Sequence, residues 1–253
     1  MGKRLGQHFL KNRRKILKIV ESLSLERGDS ILEIGPGHGE LTEQILGAKP
    51  HIKIFALERD PQLAEVLEDK FGSRIQIVQG NALETIPKVV QNLKHSYKIC
   101  GNIPYYITGR LLRVLGELKK KPSCIVLTVP EEIAKRVTSQ PPHMSLLSAT
   151  VQAWARPIIV ARISRKFFRP PPQIDSAVLL LIPNDQNIPR WYFETARAVF
   201  RQPRKTIWNN LTLAGFEKSK IEEIFSRIKL SSTVRPQDLS VKRIKEISEM
   251  LYT

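Results

Sequence analysis

Residues 31–39 read Ile31-Leu32-Glu33-Ile34-Gly35-Pro36-Gly37-His38-Gly39. An apolar run breaks into three glycines at alternate positions and resumes with helical spacing at Leu41, Ile45 and Leu46. This pattern predicts a strand turning tightly into a helix. Glycines at 35, 37 and 39 let the backbone take positive φ and approach a ligand without a Cβ in the way. The spacing is G-x-G-x-G, not the G-x-G-x-x-G of dinucleotide enzymes, and position 40 is Glu. A carboxylate there sits near the helix N-terminus, where a pyrophosphate would be held, and argues against NAD. A phosphate-free ligand carrying an adenosine, such as S-adenosylmethionine, suits the loop better; a plain structural turn is the alternative.

Working outward, residues 51–57 alternate and are rich in Ile and Phe, which predicts a second strand, with Asp60-Pro61 as N-cap and first residue of the next helix. Glu58 then ends that strand, nineteen residues after Gly39, close to the offset of about 20 at which an acid accepts from both ribose hydroxyls. Further short apolar runs at 75–78, 97–100, 124–129, 157–163 and 177–182 complete the strand pattern, and Pro130 is expected to open a helix. Alternating strands and helices predict an α/β, Rossmann-like fold: a mainly parallel seven-stranded sheet with helices on both faces. Ligands of such sheets lie beyond the carboxyl ends of the strands. Glu33 with the glycine loop, Glu58, Asn81 and Asn102 all fall at such ends. Asn81 either meets the adenine edge of a cofactor or simply forms the turn after Gly80.

The chain has 253 residues and a formal charge of +17. Such an excess points to a polyanionic partner, because Lys and Arg release counterions from a nucleic-acid backbone. Seven cations and no acid occupy residues 1–18: Lys3, Arg4, Lys11, Arg13, Arg14, Lys15 and Lys18. No apolar run reaches the roughly 18 residues of a membrane span and no apolar signal segment stands near the N-terminus, so a cytosolic protein is expected. Cys100 and Cys124 sit in apolar runs as reduced core residues, and no cysteine–histidine spacing suggests a metal. The polar, turn-rich stretch 183–189 is expected to separate a catalytic domain, 1–183, from a small helical RNA-binding domain, 184–253. In the latter, Arg201, Arg204 and Lys205 belong to a basic stretch whose helix is expected to start at Pro203.

Asn102-Ile103-Pro104-Tyr105 bears on the reaction. The exocyclic amine of adenine is a poor nucleophile because its lone pair is delocalised into the ring. Acceptors at the amine, here the Asn102 side-chain carbonyl and the Ile103 backbone carbonyl ahead of Pro104, can hold it pyramidal with the lone pair aimed at a methyl sulfonium. Positioning and electrostatics then supply most of the acceleration. Tyr105 offers a flat face for an extruded base, a role for which its hydroxyl is dispensable. The competing reading is a strand-ending turn with a core tyrosine.

The chain resembles the KsgA-type ribosomal RNA adenine dimethyltransferases. That resemblance rests on Gly6-Gln7-His8-Phe9-Leu10, on 33–37, on Glu58, on 102–105, on 168–178 and on 201–206. It implies S-adenosylmethionine as cofactor and N6-dimethylation of two adjacent adenosines near the 3′ end of small-subunit rRNA, on RNA or on an assembling subunit. It further implies that His8, Leu10, Gly35, Glu58, Asn81 and Asn102 contact the cofactor, beside Glu33 and Gly37 of the loop, and that Tyr105 and Phe168 sandwich the target base. Lys3, Arg4, Lys11, Arg13 and Arg14 with Arg201, Arg204 and Lys205 are the expected RNA contacts, and the protein is expected to be a monomer without metal. Three departures stand out: Asn81 replaces the family's usual Asp, Pro130-Glu131-Glu132 replaces Gln-Lys-Glu, and Pro203 replaces one of two arginines. Two rivals remain, a macrolide-resistance-type large-subunit rRNA methyltransferase and a non-catalytic RNA-binding assembly or transcription factor.

Overall fold

The computed structural model describes residues 7–93, 96–184 and 187–252. Seven strands form its main sheet: β1 (Ser30–Ile34), β2 (Lys53–Glu58), β3 (Gln76–Gln79), β4 (Tyr97–Asn102), β5 (Cys124–Pro130), β6 (Ala155–Ile163) and β7 (Ser176–Pro183). Their order is β3-β2-β1-β4-β5-β7-β6. The first five pair in parallel, and β7 lies antiparallel to β5. All five residues of β1 are buried, so the strand shows no polar alternation, as expected where helices cover both faces of a parallel sheet. The expected α/β, Rossmann-like sheet is thus present.

Helices α1 (Arg13–Ser22), α2 (Glu40–Ala48), α3 (Pro61–Phe71), α4 (Ala82–Asn92), α5 (Thr108–Glu117) and α6 (Glu131–Thr138) accompany the strands. Asn12 caps α1 by accepting from the Lys15 N–H, and Ile16, Ile19 and Val20 bury its inner face. Leu17 is exposed, because it lies one residue off the i, i+3, i+4 stripe. Asp60 caps α3 with Pro61 at its start, as the sequence predicted. A two-residue ribbon pairs Phe9–Leu10 antiparallel with Phe168–Arg169.

Pro130 does not open a helix. It ends β5 opposite Ser176, where its missing N–H leaves no ladder bond to make. Helix α6 starts one residue later, with the Glu131 N–H donating to the Asp175 carbonyl at 3.0 Å.

The remaining helices are α7 (Leu146–Trp154), α8 (Arg190–Val199), α9 (Ile207–Leu213), α10 (Lys218–Arg227) and α11 (Val241–Tyr252). The chain divides into two compact units: residues up to 134 with 156–183, and residues 135–155 with those from 184 onward. The second unit therefore takes in 135–155, which the sequence reading had assigned to the sheet domain. The reason is packing: Met144, Ala149 and Ala153 share a core with Tyr192, Ala196, Ile221 and Ile247, and the Tyr192 hydroxyl donates to the Ala149 carbonyl at 3.0 Å.

The basic stretch 201–205 is a turn, not a helix. Helix α9 starts at Ile207, capped by Thr206, whose Oγ1 accepts from the Asn209 N–H at 3.3 Å. The Asn210 side chain fixes the turn by accepting from the Gln202 N–H and donating to its carbonyl, both at 3.0 Å. Among the described residues no helix is long and apolar enough to cross a membrane.

Candidate active site

The glycine loop leaves β1 with Gly35 and Gly37 at φ +64° and +63°. A Cβ on Gly37 would lie 2.8 Å from the Phe9 ring, so only glycine fits under the ribbon. The Gly37 N–H donates to Glu58 Oε2 at 3.2 Å. On the other oxygen, Glu58 Oε1 accepts from the N–H groups of Arg59 (2.8 Å) and Asp60 (3.0 Å). Three donors thus hold a carboxylate that is 5 % exposed at the carboxyl end of β2, and its remaining lone pairs suit a vicinal diol.

Strand β4 ends in Gly101-Asn102. A Cβ on Gly101 would meet the Ile34 carbonyl oxygen at 2.3 Å, so glycine here lets β4 approach β1 beneath the loop. Asn102 donates from Nδ2 to the His8 carbonyl at 2.5 Å, which ties the strand end to the ribbon arm. Its Oδ1 is thereby left without a donor among the described residues, as is the Ile103 carbonyl. The Ile103 N–H donates to the Thr128 carbonyl at 3.0 Å. Tyr105 is anchored by its hydroxyl, 2.7 Å from Ser176 Oγ, and burial pushes that phenol's pKa up. His8 Nδ1 lies 2.9 Å from the Pro170 carbonyl, and its ring is 5.8 Å from that of Tyr105. One cleft is lined by His8, Gly35, Gly37, Glu58, Asn102 and Tyr105.

Glu33 lies deeper. It is 1 % exposed, accepts from Thr42 Oγ1 at 2.7 Å, and lines a small inner cavity with Leu10, Gly35 and Asn102. Burial pushes its pKa up to about 7, with the neighbouring Glu40 and Glu58 charges adding and the Thr42 hydrogen bond opposing.

Other expected residues fall elsewhere. The Asn81 side chain is spent on capping α4: Oδ1 accepts from the Leu83 N–H at 3.2 Å and Nδ2 donates to Glu84 at 2.7 Å. This is the turn-forming alternative, and Asn81 does not line the cleft. Phe168 is 1 % exposed and belongs to the sheet core, since ribbon pairing sets it beside Leu10. It presents no free face to a base. Lys3 and Arg4 lie outside the described residues. Lys11 pairs with Glu40 at the start of α2, while Arg13 and Arg14 are exposed on α1. Arg201, Arg204 and Lys205 are exposed on their turn, and Arg201 also donates to the Leu213 carbonyl at 3.0 Å.

Sequence reading missed three supports. The Phe9 ring sits edge-on to His38 at 4.4 Å and roofs the glycine loop. Ser176 anchors Tyr105, and Gly101 admits β4 to β1. Gly101 stands directly before the Asn102 motif and Ser176 within 168–178, so proximity to a motif was the available signal. A larger cavity of about 730 Å³, with Trp208 and Phe225 in its walls, lies in the helical unit; volume alone does not mark the place where the polar groups converge.

Residues 1–252 match the model of a family described as ribosomal RNA adenine dimethylase. The chain belongs to that family. It is 32% identical to the ribosomal RNA small subunit methyltransferase A of Dehalococcoides mccartyi, over 97% of this chain and 86% of the relative. Against the proteins of that name from Synechococcus sp. and Shouchella clausii, identity is 35% and 33%, over 95% and 100% of this chain and 92% and 90% of theirs. A dimethyladenosine transferase structure from Plasmodium falciparum superposes with TM-score 0.80 at 22% identity, over 94% of this chain and 95% of that one. The 23S rRNA methyltransferase ErmE gives 0.75 at 22%, over 97% and 100%. These two likenesses establish the methyltransferase fold.

Members of the family use S-adenosylmethionine, which supplies an electrophilic methyl group on a sulfonium. The residues present fit such a ligand. Gly35 and Gly37 leave the strand-to-helix turn bare of Cβ atoms, Glu58 offers carboxylate acceptors for ribose hydroxyls, and the Asn102 Oδ1 acceptor stands on the same cleft.

Proposed function

We propose that this protein transfers methyl groups from S-adenosylmethionine to the N6 atoms of two adjacent adenosines near the 3′ end of small-subunit ribosomal RNA. The observation that carries the reading is the state of Asn102. Its Nδ2 is committed to the His8 carbonyl, which fixes the amide plane and leaves Oδ1, with the Ile103 carbonyl, to accept from the two N6 hydrogens of an adenine. Accepting both turns the nitrogen lone pair away from the ring. Once one methyl is added and the acidified nitrogen has released a proton to solvent, a single N–H remains, and one of the same two acceptors suffices for the second transfer. No strong base is required of the protein; orientation and exclusion of water do the work. Tyr105, held by Ser176, offers the stacking face.

The name borne by the relatives at 32–35% identity supports a small-subunit substrate. The excess of cationic side chains supports RNA or an assembling small subunit as the form in which it is met, with the reaction in the cytoplasm. Mapping N6-methylated adenines in ribosomal RNA from cells with and without the gene tests the proposal. Loss of two adjacent marks in small-subunit rRNA is expected. Loss of a large-subunit mark would transfer the reading to the macrolide-resistance type, and an unchanged map to the non-catalytic factor.

A further inference from the structure

A groove separate from the cleft runs between α1 and the end of β6. Its walls are Asn12, Arg14, Lys15 and Lys18 from the α1 side and Ala161 and Phe167 from the other, enclosing about 480 Å³. Three of these six residues are cationic and none is acidic. Lys15 donates from Nζ to the Arg162 carbonyl at 2.9 Å, which sets its ammonium at the strand edge with protons to spare. Lys18 pairs with Glu21 at 3.1 Å, and Arg14 is exposed with no described partner. Phe167 is half-buried against the core, and Lys166 brings another cation 5.5 Å from its ring centroid.

The cleft and the groove lie at the two ends of one ribbon, with His8 and Phe9 at the first and Asn12 and Phe167 at the second. The Phe167 carbonyl accepts from the Lys11 N–H at 2.9 Å, Leu10 pairs with Phe168, and the His8 carbonyl accepts from Asn102. From His8 to Lys11 is three residues, at most about 11 Å of extended chain, so a short run of single strand reaches from one site to the other. Cations beside an aromatic face form the combination that binds unpaired nucleic acid, with phosphates on the charges and a base on the ring. An acidic peptide would use the charges and leave the ring idle.

We infer that this groove holds a nucleotide flanking the target adenine, its base on Phe167 and its phosphates on Arg14, Lys15 and Lys18. The inference rests on the RNA methyltransferase reading above, and it gives a reason for one enzyme to address a short unpaired run of bases instead of an isolated one.

The test uses the full chain and a small-subunit rRNA hairpin carrying the target adenines, alongside versions with an abasic site at each nucleotide next to the target in turn. Wild type must first transfer methyl groups to small-subunit particles; if it does not, the functional reading fails, whatever the groove does. Given transfer, Arg14→Ala/Lys18→Ala, which alters only exposed charges, is expected to flatten the log–log salt dependence of hairpin binding by about two units. Cofactor affinity by calorimetry should not move. Phe167→Leu keeps an apolar side chain against the core but removes the aromatic face. It is expected to weaken binding of the intact hairpin roughly tenfold, and to weaken the version lacking the flanking base far less. A salt slope unchanged in the double variant, or a Phe167→Leu penalty equal on intact and abasic hairpins, overturns the inference. So does an acidic peptide that displaces the hairpin while base removal has no effect, because the groove would then be a site for protein.

Discussion

One end of the Asn102 amide holds the ribbon arm, and in the proposed function the other end accepts from the base. Asn102→Ala is therefore expected to lower single-turnover methyl transfer by about 10²-fold, the scale seen when a positioning hydrogen bond is lost, with a smaller change in cofactor affinity. Full turnover in that variant would sink the assignment of the motif. For Tyr105, stacking alone predicts a silent Tyr105→Phe. The structure predicts otherwise, because Ser176 is fully buried and would lose the hydroxyl it meets at 2.7 Å. A buried orphan of this kind costs about 1–3 kcal/mol, so denaturant unfolding should register the change even where stacking survives. Glu33 gives a pH signature. Its pKa is raised from the model-compound value 4.5 to about 7, so the folded state holds a proton that the unfolded chain has released. The stabilisation is full below pH 4.5 and is lost as pH rises through 7. Wild type should thus lose stability relative to Glu33→Gln across that window, and thermal unfolding at several pH values in parallel would read it. A constant difference between the two proteins would contradict a protonated Glu33.

Elements meet closely where the site is built. β4 can lie against β1 beneath the glycine loop only because residue 101 has no side chain, and the obstacle to a Cβ is the Ile34 carbonyl at 2.3 Å, which is backbone within a five-stranded parallel ladder. Gly101→Ala must push the strands apart or strain the turn into Asn102. A cost of about 1–3 kcal/mol is expected, with transfer activity lost beyond what stability explains, because Asn102 and the His8 carbonyl are separated. Equilibrium unfolding together with a turnover assay on the folded fraction checks both halves. Phe9 acts at the same scale: the ribbon that it belongs to roofs the loop and carries the His8 carbonyl, so the arm helps to line the candidate cleft.

At the scale of the whole molecule the governing quantity is charge. With a formal +17, RNA affinity should fall steeply with added salt. Replacing Arg204 and Lys205 by Ala, on a turn where both are exposed, should flatten the log–log slope by up to about two units. Because Thr206 and Asn210 hold that turn from outside the substituted pair, the fold should be unaffected. Filter or fluorescence binding across a salt series measures the slope, and indifference to salt would remove the polyanion reading.

Local pattern determined much of this protein. The glycine turn, Glu58 at the end of β2, the Asp60-Pro61 helix start and the Asn102-to-Tyr105 stretch were legible because each depends on neighbours along the chain: apolar period, capping chemistry and backbone freedom. What the tertiary structure alone decided depends on partners distant in sequence. Residues 135–155 pack with the helical unit because Tyr192 and its neighbours bury them, and no local signal announces that. Asn81 caps its own helix and Phe168 is drawn into the core by pairing with Leu10, so one residue expected at the site from its strand end and one expected there by resemblance are otherwise engaged. Pro130 and Pro203 were misread for one reason. A proline says where a ladder or a helix cannot continue, but whether it ends a strand, sits in a turn or starts a helix is set by what lies opposite: Ser176 across the sheet in one case, and the Asn210 amide across the turn in the other.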